Sequence, residues 1–117
     1  MKLEVENSGE LIHLASGQLL FGKVVKQLEK DFLLANIFWD LPKDANGDAL
    51  ISSLREKIYH LIMERFSEYL NLLYVIDIPE KEFQHIEITD AVEVADQMTF
   101  LILKREYQKV WFRNKYK

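Results

Sequence analysis

The chain has 117 residues, 49% apolar and 29% charged, the size and balance of one globular domain over residues 1–117 and far from those of a disordered tract. It has no cysteine, which excludes disulfides, thiolate-bound metals and cysteine nucleophiles. Its net charge of −4 opposes nucleic acid as a partner, although residues 104–117 hold six of the fifteen basic side chains and a single acid, Glu106, for a local net of +5 against −9 for the rest.

The start, Met1-Lys2-Leu3-Glu4-Val5-Glu6, is too acidic for an export signal, and the runs Leu72–Ile76 and Met98–Leu103 fall far short of the roughly 20 apolar residues that cross a bilayer. A cytoplasmic location without a membrane span is therefore expected. The first helical pattern runs from about Gly9 to Ile37, with Phe21, Val24, Val25, Leu28 and Phe32 on one face. Gly17 and Gly22 weaken it, and two helices with Ser16 capping the second are the other reading. Turn chemistry follows in Asp40-Leu41-Pro42-Lys43-Asp44-Ala45-Asn46-Gly47-Asp48.

The second pattern, Ala49 to about Leu73, takes Asp48 as its cap and buries Leu50, Ile51, Leu54, Ile58, Leu61, Ile62, Phe66, Tyr69 and Leu70. Tyr74-Val75-Ile76-Asp77-Ile78 reads as extended, and Pro79 then introduces one or two helical turns through His85. A hairpin with Ile86-Glu87-Ile88 as its second strand is the alternative. The last helix opens at Asp90, with Glu93 completing a capping box, and continues to about Asn114. Its cationic end complements the helix dipole.

Three patterns bear on chemistry. Glu10-Leu11-Ile12-His13 and Glu82-Phe83-Gln84-His85 repeat the Glu-x-x-His spacing of di-metal carboxylate bundles, with Glu64 and Glu93 as further ligands, which makes Glu10, His13, Glu82 and His85 the candidate metal residues. His60 lies four residues from both Glu56 and Glu64, a spacing that commonly just supports a helix. In the C-terminal stretch, Arg105, Lys109 and Arg113 repeat every four residues as a basic face, while Leu103, Tyr107, Val110 and Trp111 continue the apolar stripe of Val94, Met98 and Leu101. There is no GxGxxG, Walker loop, GxSxG or HExxH, so no cofactor is expected.

The expected fold is all-α: an antiparallel bundle of three long helices, with a short extended and helical excursion between helices two and three. Its predicted core comprises Phe21, Val25, Leu28, Phe32, Leu54, Ile58, Leu61, Ile62, Phe66, Val94, Met98 and Leu101. Phe38, Trp39, Tyr107, Trp111 and Phe112 are more aromatic surface than three helices hide, and they are the expected interface. The expected function is a non-enzymatic protein-interaction module or accessory subunit, with a homodimer as the first partner considered. A metal-binding helical protein and a nucleic-acid binder acting through the basic helix are the alternatives.

Overall fold

The computed structural model describes residues 3–86 and 90–116. Asn7 opens the first helix, α1 (Ser8–Gly17): its side-chain oxygen accepts the Glu10 N–H at 2.9 Å, while the Glu10 carboxylate accepts the Glu6 N–H at 2.8 Å. This reciprocal pair ties down the chain entering the helix and supplies acceptors that a helix start otherwise lacks. α1 stops where Leu19 turns left-handed (φ 59°) and the N–H of the buried Leu20 returns to the Ala15 carbonyl at 2.8 Å.

α2 (Phe21–Leu34) ends in the same way, with Asn36 at φ 60° and the buried Ile37 donating to the Phe32 carbonyl at 2.9 Å. α3 (Gly47–Glu64) is capped by Asn46, which accepts the Ala49 N–H at 2.9 Å. Its axis breaks at Arg65 (φ −141°, ψ 58°), and α4 (Phe66–Ile76) begins at once. Asp77 (φ 69°) and the buried Ile78, bonded to the Leu73 carbonyl at 3.2 Å, close α4. Three helices thus end by one device, a left-handed residue followed by a buried apolar side chain that satisfies and shields the last turn.

Pro79 leads into a 3-10 turn at Glu80–Glu82. Asp90 caps α5 (Ala91–Lys115), accepting from the N–H groups of Val92 and Glu93. At 1.5 Å per residue, the 25 residues of α5 run about 37 Å, matching the 37 Å longest dimension of the molecule. α5 packs against all four other helices. Its buried side is accordingly two adjacent rows, Val94, Met98, Ile102, Glu106, Val110 and Ala95, Thr99, Leu103, Tyr107, which meet Leu28 and Phe32 of α2 and Leu50, Leu54, Ile58 and Leu61 of α3 in one core.

The all-helical expectation holds among the described residues, but the three long helices are five. The first divides around Leu19, without a cap from Ser16, because a bend there lets both Leu11 and Val24 reach the core. The second divides at Arg65, which turns Tyr69, Leu72, Leu73 and Ile76 inward and leaves Phe66 and Leu70, both expected in the core, 43% and 47% exposed. Tyr74 to Ile76 are helical rather than extended, since burial of Ile76 outweighs the strand preference of β-branched residues. The hairpin alternative thereby loses its first strand, and Glu87 and Ile88 of its second lie outside the described residues. Asp48 sits in the first turn of α3 instead of capping it, and Glu93 accepts from Gln97 at 3.1 Å instead of completing a capping box. Phe21, Val25 and Leu101 are only partly buried.

Candidate functional site

The four expected metal residues do not converge. Glu10 is engaged as the acceptor for the Glu6 N–H, and it shares one shallow depression with the exposed His13. Glu82 pairs with Lys104 at 3.7 Å and lines a different cleft with His85, Arg55 and Asp96. Among the described residues, no three histidine, aspartate or glutamate side chains are close enough to hold a metal ion. Glu10 and His13 lie in the first half of the short α1, Glu82 ends the 3-10 turn and His85 lies beyond it, whereas a bundle metal site needs such pairs inward-facing in the middle of long helices. His60 bonds Glu64 at 2.8 Å on the exposed side of α3, a helix-supporting pair.

The expected interface residues divide. Tyr107 belongs to the core rather than to the surface: it is buried and donates from its hydroxyl to Gln18. Trp39 is half-buried, stacked on Phe32 with 4.6 Å between ring centroids and donating from its indole to the Ser53 hydroxyl at 3.0 Å. Trp111, also half-buried, meets Phe112 edge-on at 5.1 Å under the Lys115 ammonium. Phe38 stands 80% exposed.

An exposed apolar row on α4 escapes the sequence reading. Phe66, Leu70 and Tyr74 form a row of every fourth residue along α4, turned away from the buried Leu72 and Ile76, and Tyr74 is 83% exposed. Leu33, Leu34 and Phe38, all exposed, lie at the end of α2, and the Asn71 side chain bonds the Ala35 carbonyl at 3.3 Å, joining α4 to that end. The signal was present in the four-residue spacing of Phe66, Leu70 and Tyr74, but an unbroken helix through Arg65 assigns Phe66 and Leu70 to the core.

Arg105, Lys109 and Arg113, the expected basic face, each find a partner inside the molecule because α2 and α4 flank that side of α5. Arg105 donates to the Asp77 carbonyl at 2.9 Å and its carboxylate at 3.1 Å, and Lys109 donates to the Ile76 carbonyl at 3.1 Å. Two of the three cations thus neutralise the C-terminal end of α4, where carbonyls lack helix partners. Lys109 also reaches Asp31 at 2.6 Å and Glu106 at 2.5 Å. Arg113 donates to the Gln27 amide oxygen at 2.9 Å, and the Gln27 amide nitrogen donates to Asp31 at 3.0 Å.

The centre of this network is sealed: Glu106 is 0% and Asp31 2% exposed. Lys109 approaches Glu106 as a close ion pair off hydrogen-bonding direction, since neither Glu106 oxygen accepts a well-directed bond. Burial and a hydrogen bond with Asp31 push the Glu106 carboxyl up to about 8, against the opposing pull of Lys109. Burial in this cluster therefore favours the neutral form of Glu106. Its visible sequence signal is Glu106 itself, a lone acid on the apolar row Val94, Met98, Ile102 and Val110. Comparison of the chain with protein families, curated proteins and solved structures returned no match.

Proposed function

We propose that the protein is a helical interaction module, not an enzyme, and that its first partner is a second copy of itself, bound through α4. The carrying observation is the row Phe66, Leu70, Tyr74, which is aromatic, aliphatic, aromatic from end to end and uncovered. Such a row is self-complementary. A two-fold axis at Leu70 sets two α4 helices antiparallel, pairs Leu70 with its copy and stacks each Phe66 on the other Tyr74, as an isologous interface requires. Leu33, Leu34 and Phe38 extend the same apolar area and lengthen the buried seam. Support for a non-catalytic role comes from Glu106: the carboxyl with the most displaced ionisation is enclosed, out of reach of a substrate.

Sedimentation equilibrium across micromolar to submillimolar concentrations tests this. The wild-type chain is expected as a reversible dimer, and Leu70→Glu, which places two like charges face to face across the axis, is expected as a monomer of unchanged helical content. A wild-type chain that stays monomeric throughout the range, or a Leu70→Glu variant that dimerises as well as wild type, contradicts the proposal.

A further inference from the structure

We infer that the groove between α2 and the end of α5 binds a small ligand carrying a chain of phosphates. Lys23, Lys26 and Lys30 project from one face of α2 at three- and four-residue spacing, Arg113 faces them from α5, and Val110 forms the apolar side of a cavity of about 400 Å³. That volume lies in the range of small-molecule sites. No carboxylate lines it, and among the described residues none of these four cations has a carboxylate partner. In a chain whose net charge is −4, this is a local field of the opposite sign, and the nearest acid below the lining, Asp31, is already paired with Lys109 at 2.6 Å.

The groove is also held in shape from beneath. The Asp31 carboxylate can only accept and the Arg113 guanidinium can only donate, so the Gln27 amide between them has one permitted orientation. Asp31 is itself fixed by Lys109 at 2.6 Å. The buried cluster thereby presents Arg113 to the groove in a set position, while Lys23 is tethered across it to Asn114 at 2.8 Å. Several cations converging on a short concave site match several anionic oxygens at close spacing, which condensed phosphates supply through charge-assisted bonds. A long nucleic acid instead extends beyond the groove over a net-acidic protein, and is disfavoured.

Calorimetric titration with inorganic tripolyphosphate, ATP, orthophosphate and a single-stranded oligonucleotide, all without divalent cations, is the test. Tripolyphosphate is expected to bind saturably at one site per chain, more tightly than orthophosphate and more weakly as salt is raised. Lys26→Gln/Lys30→Gln, two exposed side chains whose loss leaves thermal unfolding unchanged, is expected to weaken it at least about tenfold. ATP bound more tightly than tripolyphosphate identifies a nucleotide as the source of the phosphates, and equal affinity identifies a condensed phosphate; both support the site. Absence of saturation, indifference to the double substitution, or tight binding of the oligonucleotide alone overturns it.

Discussion

A carboxyl group in the row Val94, Met98, Ile102, Val110 must either give up its charge or meet one opposite. Glu106 does the first and Asp31, paired with Lys109, the second. The consequence for stability follows from where the proton goes. Folding raises the Glu106 carboxyl from 4.5 to about 8, so between those values the folded state binds a proton that the unfolded chain has released. The contribution of Glu106 to stability is complete below about pH 4.5 and is lost as pH rises through about 8. Glu106→Gln, a neutral amide of the same shape, removes this dependence: urea unfolding is expected to give near-equal stability to wild type at pH 5, and roughly 1–3 kcal/mol more at pH 9. A wild-type chain that gains stability relative to the variant as pH rises contradicts the protonated assignment. Glu106 was legible in the sequence as an acid in an apolar row. An apolar stripe read through Leu101, one residue short of Ile102, passes by the row that leads to Glu106.

Helix ends explain most of what the sequence reading found and lost. Asp90 and Pro79 use side-chain chemistry that is local, and the helix and turn they announce are present. Asn7 and Asn46 open α1 and α3 by the same local chemistry, whereas the C-terminal ends of α1 to α4 follow tertiary packing. All four glycines lie within helices and none has positive φ, while the left-handed turns fall to Leu19, Asn36 and Asp77. Asn36 and Asp77 tolerate that conformation, but Leu19 carries no local sign of it. The break at Arg65, a good helix former, is equally silent. Gly47 has a different purpose, because a Cβ there would stand 2.6 Å from Cγ2 of the buried Ile12, so α1 and α3 approach at a point that only glycine permits. Gly47→Ala, which ordinarily strengthens a helix, is therefore expected to destabilise this one by about 1–3 kcal/mol. A rise in the thermal midpoint of the variant would show that Ile12 yields without cost.

At the scale of the whole molecule, α5 is the axis on which the other helices are assembled, and its basic end is spent largely inward. Arg105 and Lys109 close the end of α4, and Lys109 and Gln27 set the position of Arg113. What remains outward is the cationic groove on α2 and α5 and the apolar row of α4, each a surface to which the fold itself assigns no partner. The chain contains no cysteine, so one introduced thiol reports a single position. Leu70→Cys, at the proposed two-fold axis, is predicted to form a covalent dimer rapidly under mild oxidation, whereas Leu19→Cys, at the turn between α1 and α2 and more exposed than Leu70 (88% against 47%), stays largely monomeric. Cross-linking of Leu70→Cys no faster than that of Leu19→Cys would contradict the α4 interface.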